Sequence, residues 1–151
     1  MKIWINTLSG DVKIISALNH YIGMKIIEVS MFPEFGYMIY LVGFIIGVGL
    51  LATLWNRRIG LIVFFFFIIA VGTGALVDFW MWGYDYGHNL NPDAAIKIEG
   101  MSYQPPLIGT KVLLNFTAFS GPDIGGWVFI GAGILLFGLI IFEWKTNNKA
   151  H

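Results

Sequence analysis

Two short stretches of the sequence carry most of the side chains that could bind a metal ion. In the first, His20 and Met24 are four residues apart, a spacing that would place imidazole and thioether on one face of a helix. The second stretch, residues 78–89, combines two carboxylates, an imidazole and a thioether with a dense set of aromatic rings. The candidate metal ligands are His20, Met24, His88 and Met101, with Asp85 as a carboxylate that would orient a ligand histidine.

The chemistry of these donors favours a soft metal ion. Imidazole and thioether groups without a thiolate are ligands that Cu(I) accepts outside the cytoplasm. The chain has no cysteine, which excludes disulfides, thiolate metal sites and thiol catalysis. A zinc site would need more ligands than the three histidines of this sequence supply. Because the indole of Trp82 would tolerate a neighbouring cation, the predicted site is a Cu(I) site with Trp82 beside it.

Each candidate also has a structural interpretation. A single histidine–methionine pair on a helix commonly packs in a core, and the Trp and Tyr rings between positions 80 and 86 are typical of membrane-interface anchors. Asp78 would equally cap a backbone group or pair with a cation. Asp85 and His88 would form a hydrogen-bonded structural pair as readily as part of a metal site.

The motifs of common enzyme active sites are absent from the sequence. There is no nucleophile elbow, no HExxH and no phosphate-binding glycine loop. The glycine-rich stretch 121–126 leads into an apolar run, so it predicts a tight turn with Asp123 near the positive end of a helix. The net charge of zero gives no indication of nucleic-acid binding. We therefore expect a protein that is not an enzyme.

Three apolar runs must position the candidate ligands. They cover residues 37–55, 59–82 and 127–144, and each approaches or exceeds the roughly 20 residues that cross a bilayer. Only 12% of the chain is charged, about half the share that is usual in a soluble domain. Since a segment in lipid must satisfy its own backbone polar groups, all three runs are predicted to be transmembrane helices.

Basic residues determine the predicted orientation of these helices. Arg57 and Arg58 lie in the short link between the first two runs, and Lys145 and Lys149 follow the third. The positive-inside rule assigns both regions to the cytoplasm, so residues 1–36 and 83–126 are expected on the extracytoplasmic side. Residues 1–36 do not begin with the basic and then apolar pattern of a cleavable signal peptide.

The two extracytoplasmic segments are predicted to form one small mixed α/β cap. Alternating residues indicate short strands at 3–5, 12–14 and 96–98, and Ser16 would cap a helix that reaches Met24. Pro92 is expected to open a helical turn. The apolar stretch 107–119 is too short to span and would lie against the membrane face or the cap. The expected fold is a mainly α membrane protein, a single domain of residues 1–151 with three transmembrane helices and this cap.

Four strings in the polar segments resemble a family of small bacterial inner-membrane proteins. The members of this family are encoded with the maturation genes of nitrous oxide reductase, beside a copper-chaperone lipoprotein. The resemblance covers nearly the whole chain and implies a periplasm-facing role in copper supply or in assembly of that copper enzyme during denitrification. It brings no established catalytic residues, and family members also carry an apolar segment upstream of the region that this chain resembles. The strings are Leu18–Met24, Tyr84–Pro92, Gly100–Gly109 and Pro122–Trp127.

Three functional hypotheses follow from these observations. The first is an accessory membrane protein that binds or relays Cu(I) on the periplasmic face, with a copper chaperone or a copper enzyme as its partner. It requires His20 and His88 to come within metal-bridging distance. The second is a scaffold subunit of a membrane maturation or electron-transfer complex that binds no metal. The third is a quinol-interacting protein with Asp78 and His88 in a pocket near the membrane interface.

Overall fold

A computed structural model of the protein describes residues 1–55, 57–96, 100–113 and 116–147, with only the backbone of residues 57 and 147. These residues are mostly helical, and they also form two small antiparallel hairpins and two short 3-10 turns, Val29–Met31 and Pro33–Gly36. In chain order the elements are β1 (Lys2–Ile3), β2 (Leu8–Ser9), α1 (Val12–Tyr21), α2 (Met38–Leu54), α3 (Arg57–His88), β3 (Gly109–Leu113), β4 (Phe116–Ser120) and α4 (Ile124–Asn147).

Two helices are long and apolar enough to cross a membrane, namely Arg58–His88 of α3 and Ile124–Thr146 of α4. Within their most apolar windows only 11% and 6% of the residues are buried inside the protein. The central helix of a soluble domain would be mostly buried, whereas a helix that faces lipid needs no protein cover because its backbone is satisfied internally. These two helices are therefore compatible with contact with a bilayer.

The first predicted span forms a shorter helix. α2 has 17 residues, so its length is roughly 26 Å at the usual rise per residue, slightly less than the ~30 Å of a bilayer's hydrocarbon core. Two of the three predicted transmembrane helices thus have the length and composition needed to span. That α2 is also a transmembrane helix stays a prediction.

The chain divides into two compact units, and α3 contributes residues to both. The first unit comprises Met1–Ile39 and Leu76–Gly121, and the second comprises Tyr40–Ala75 and Pro122–His151. The first unit therefore contains most of the segments predicted to form the cap. It holds α1, both hairpins and the last turns of α3.

The core of the first unit combines residues from three distant parts of the chain. It contains Ile22, Met24, Ile27, Phe32, Tyr86 and Tyr103. The indole of Trp82 stacks on the ring of Tyr86, with ring centroids 4.9 Å apart. Its centroid also lies 5.1 Å from the ring centroid of Phe32. The N-terminal segment, the end of α3 and the extended segment around Tyr103 thus share one aromatic core.

Among the described residues of the second unit, aromatic rings and an ion pair join the helices. Phe44 of α2 meets Phe67 of α3 edge to face at a centroid distance of 5.9 Å, and Phe65 lies 5.7 Å from Phe137 of α4. The Arg58 Nε lies 3.7 Å from a carboxylate oxygen of Glu143. α3 therefore contacts both of its neighbouring helices.

Several local predictions in the polar segments are wrong. Residues 12–14, predicted as a strand, form the first turn of α1. Ser16 lies inside that helix rather than at its start, and its Oγ accepts a hydrogen bond from the Ile27 N–H at 3.1 Å. The buried contacts of this helix outweigh the strand preference of the β-branched residues at its start.

The remaining local predictions have mixed outcomes. The strand predicted at 3–5 forms at Lys2–Ile3, and Pro92 lies in a turn rather than at the start of a helical turn. The apolar stretch 107–119 contributes to the β3–β4 hairpin. Of the strand predicted at 96–98, Ile96 lies in a bend, and the other two positions are outside the described residues.

Candidate functional site

The chain reverses direction at the end of α1, between His20 and Met24. Gly23 has a φ of 86°, the left-handed region that favours glycine. Its N–H donates to the His20 carbonyl at 3.1 Å, and the Met24 N–H donates to the Asn19 carbonyl at 3.0 Å, the two bonds of a Schellman motif. Because the helix ends at Tyr21, the prediction that His20 and Met24 share a helical face is wrong.

This turn lies directly against the loop that follows α3. The Asn91 N–H donates to the Gly23 carbonyl at 2.7 Å, and the Ile96 N–H donates to the Tyr21 carbonyl at 2.9 Å. A Cβ on Gly23 would lie 3.0 Å from the Asn91 oxygen and 3.1 Å from the Ala94 Cβ, so only glycine permits this approach without a shift of the backbone. The stretch around His20 is thus in backbone contact with the loop that begins just after His88.

A buried polar contact fixes α1 to α3 beside the turn. The Asn19 Nδ2 donates to the Tyr86 hydroxyl at 2.9 Å, and both residues are buried. Together with the Ser16 bond described above, this contact turns the polar side of α1 inward. Sequence reasoning considered Ser16 only as a helix cap and missed these two buried contacts, although Ser16 and Asn19 are three apart and therefore neighbours on one helical face.

A surface depression lies where the turn meets the loop. Two of the candidate ligands, His20 and Met24, line it, whereas His88 and Met101 do not. The imidazole of His20 is exposed. Met24 is only 4% exposed and belongs to the aromatic core. The complete lining is His20, Gly23, Met24, Lys25, Ile26, Asn89, Leu90 and Asn91.

Asp85 is bound to two residues that line this depression. Its carboxylate lies 2.6 Å from the Lys25 Nζ and accepts a second hydrogen bond from the Asn89 amide. The side chains of Lys25 and Asp85 are 46% and 50% exposed. The Asp85–His88 hydrogen bond considered from the sequence is not formed: the carboxylate bonds to Lys25 and Asn89, and the His88 Nδ1 bonds to the Tyr84 carbonyl instead.

His88 is oriented by the helix that carries it. Its Nδ1 lies 2.9 Å from the Tyr84 carbonyl oxygen. Since a carbonyl only accepts, Nδ1 carries the hydrogen, and in the neutral ring Nε2 holds the free lone pair. The imidazole stacks on Tyr84 at a centroid distance of 4.0 Å, and Tyr84 in turn lies 5.5 Å from Trp80. Nε2 is therefore the His88 atom that is able to bind a metal ion.

The donor types in this region restrict the metal ion that could bind. Among the residues that the structure describes, no three His, Cys, Asp or Glu side chains are grouped closely enough to hold a metal ion. The donors predicted from the sequence are imidazole nitrogen and thioether sulfur, a set that suits Cu(I) rather than a hard cation. Met101, the second predicted thioether ligand, is exposed.

The predicted quinol pocket receives no support from the surface near Asp78. The side chain of Asp78 is exposed. A second, smaller depression is lined by Phe79, Trp80, Gly83 and residues 104–107. Neither this depression nor the one at Gly23 is lined by Asp78 or His88.

Comparisons with protein-family models, with curated proteins and with solved structures found no match to this chain.

Proposed function

We propose that this protein is an accessory protein of the bacterial inner membrane that binds or relays Cu(I) on the periplasmic side. Its role would be to supply copper for, or help to assemble, nitrous oxide reductase. The observation that supports this most directly is the backbone contact between Gly23 and Asn91, because it joins the histidine-bearing stretch of α1 to the loop just after His88. The family resemblance supplies the copper context.

The proposed membrane arrangement has three spanning helices, with α2 as the first. The N-terminus and the first unit's polar segments lie in the periplasm, and the C-terminus lies in the cytoplasm. The apolar surfaces of α3 and α4 support insertion, and the basic residues at positions 57, 58 and 145 support the orientation. A periplasmic copper chaperone or the copper enzyme itself would then meet the first unit.

The depression at the Gly23 turn is the proposed point of copper contact. His20 and Met24 line it, and His88 has a free Nε2 on the adjacent end of α3. Cu(I) binds soft and imidazole donors, so these residues, with Met101, are the proposed ligands. Lys25 also lines the depression, and its positive charge would repel a copper ion. Asp85 contributes by neutralising that charge through the ion pair.

Copper titration tests this proposal. Detergent-purified protein should bind Cu(I), and His20→Ala and His88→Ala should each weaken binding by at least about tenfold, since each removes an imidazole ligand. His151→Ala is the control, because His151 is the third histidine of the chain and lies far along the sequence from both stretches. Met24→Leu distinguishes the role of the Met24 sulfur in copper binding from its role in core packing, because leucine removes the sulfur and has nearly the same volume.

Two results would rule out the copper site. One is an unchanged affinity and stoichiometry in both histidine variants. The other is a loss of affinity in His151→Ala equal to that in His20→Ala. Retained far-UV circular dichroism would show that any loss comes from the missing ligand rather than from unfolding.

A scaffold that binds no metal is the second candidate, and the packing of Met24 favours it. The thioether lies in the aromatic core, and the Asp85 carboxylate is already engaged by Lys25 and Asn89. In addition, α1 exposes the apolar side chains of Ile14 and Leu18. Protein that binds no Cu(I), but whose Leu18→Asp variant abolishes maturation of nitrous oxide reductase in cells, would support the scaffold over the copper carrier.

A further inference from the structure

The β3–β4 hairpin presents one face that has no protein cover. Its register pairs Thr110 with Phe119 and Val112 with Thr117, and because side chains alternate across a strand, these four share a face. All four are exposed, Phe119 by 76% and Val112 by 70%. This face, which we call the hairpin face, therefore presents an exposed phenylalanine and valine beside two threonines.

The opposite side of the hairpin carries a charge and is more mixed, since Phe116 on that side is 40% exposed. Leu113 is buried there, and the Lys111 ammonium donates to the Gln104 carbonyl at 3.0 Å. Lys111 is the single charged residue among the described positions of the two strands. The hairpin face is thus uncharged, and its two most exposed side chains, Phe119 and Val112, are apolar. A face exposed to water in a monomeric protein would more often carry charged residues.

We propose that the hairpin face inserts shallowly into the interfacial layer of the lipid bilayer. The hairpin is tethered to a helix that is able to span the membrane, because only residues 121–123 separate β4 from α4. Phe119 precedes Ile124 by five residues, so the chain holds it within about 17 Å of the start of α4 even when fully extended. The headgroup layer that surrounds the start of a spanning helix is therefore within its reach.

The chemistry of the hairpin face limits the depth of insertion. Thr110 and Thr117 carry hydroxyl groups, and a two-stranded hairpin leaves unpaired backbone groups along both edges. Such groups are not tolerated in the hydrocarbon region, where no water satisfies them. Phe119 and Val112 would therefore enter only about 5–10 Å, to the boundary between headgroups and acyl chains, while Lys111 remains in water. Since the face is uncharged, its insertion does not require anionic lipid.

Site-directed spin labelling tests this inference independently of copper binding. The chain contains no cysteine, so Phe119→Cys and Lys111→Cys each provide one labelling position on opposite sides of the hairpin. In phosphatidylcholine proteoliposomes, a nitroxide at position 119 should collide mainly with oxygen, which concentrates in lipid. A nitroxide at position 111 should collide mainly with a water-soluble nickel complex. Val112→Cys should repeat the result of position 119 and replaces it if that variant does not fold.

Two outcomes would overturn the inference. A nitroxide at position 119 that is as highly accessible to the nickel complex as one at position 111 would show that the hairpin face lies in water. A nitroxide at 119 that is immobile and shielded from both reagents would show that protein, such as a second copy of the chain, covers the face instead of lipid.

Discussion

The two compact units of this protein bury different kinds of side chain. The first unit buries the polar residues Ser16 and Asn19 together with an aromatic core, and hydrogen bonds satisfy both polar groups. Among the described residues of the second unit, Ile68 and Leu136 are the buried hydrophobic side chains. The first unit is thus organised by specific tertiary contacts, whereas the second consists of helices whose apolar surfaces remain largely uncovered.

The exposed apolar helices of the second unit are compatible with contact with a bilayer, whereas the first unit depends on contacts within the protein. A buried polar group costs free energy unless it is hydrogen-bonded, so single atoms matter in the first unit. Ser16 and Asn19 are bonded there, whereas the Trp82 Nε1 and the Tyr103 hydroxyl are buried without a partner among the described residues. Helices in lipid satisfy their own backbones and keep apolar side chains outward, so many substitutions on them are tolerated. Three pairs of variants compare the two units or test contacts within the first, in decreasing order of expected effect.

The largest contrast is expected between two glycines of α3. A Cβ on Gly87 would lie 2.3 Å from both the Cα and the N of Gln104, whereas a Cβ on Gly74 would meet nothing within 4 Å. Gly87→Ala should destabilise the protein by about 3 kcal/mol because backbone must move. Gly74→Ala should be neutral or stabilising by up to about 1 kcal/mol, since alanine favours a helix.

Thermal unfolding in detergent, followed by tryptophan fluorescence, measures both glycine variants. Equal melting temperatures for Gly87→Ala and Gly74→Ala would contradict the close contact between α3 and the segment around Gln104. The substitution is chemically identical in the two variants, so helix propensity alone cannot produce a difference.

A smaller effect is expected at the buried contact between Asn19 and Tyr86. Asn19→Ala should cost about 1–3 kcal/mol, because it leaves the Tyr86 hydroxyl without its donor in a buried position. Leu18→Ala is the control, as Leu18 is 62% exposed on the same helix and should change stability by less than about 0.5 kcal/mol. A double-mutant cycle with Tyr86→Phe should give a coupling of about 1 kcal/mol. Strictly additive changes would show that the hydrogen bond contributes nothing.

The smallest effect is expected at the ion pair between Lys25 and Asp85. Both side chains are about half exposed, so Lys25→Met and Asp85→Asn should each cost less than about 1 kcal/mol. The cost should shrink further in high salt, which screens exposed charges. Melting curves at low and high ionic strength measure this, and a loss above about 2 kcal/mol that salt does not change would mean that the pair is more protected than its exposure indicates.

Composition predicted the long apolar helices well, but not where α3 ends. The second apolar run ends at Trp82, and residues 83–126 were predicted to belong to the extracytoplasmic segment. The helix nevertheless continues to His88. Gly87 allows the segment from Met101 to approach so closely that the Tyr103 N–H donates to the Gly87 carbonyl at 2.9 Å. Helix propensity alone does not contain this information, because the stabilising partner is distant in sequence.

The sequence predicted only part of the candidate site, again because some of its contacts join residues that are distant in sequence. Residue types identified the stretches around His20 and His88. The turn that follows His20 does lie against the loop that follows His88. The turn between His20 and Met24 was missed, although a glycine such as Gly23 directly after an apolar helical segment is a typical signal for the end of a helix. The ion pair between Lys25 and Asp85 and the burial of Met24 depend on three-dimensional packing that no local pattern encodes.

The first unit is formed by two segments that are distant in sequence, and this has a consequence for biosynthesis. Asn19 and Tyr86 are 67 positions apart, and α2 with most of α3 lies between them. At the usual rate of translation, roughly 3 to 13 seconds pass between the synthesis of the two partners. During that interval the N-terminal segment lacks the residues that it packs against, so this unit completes its fold only after α2 and most of α3 have been synthesised.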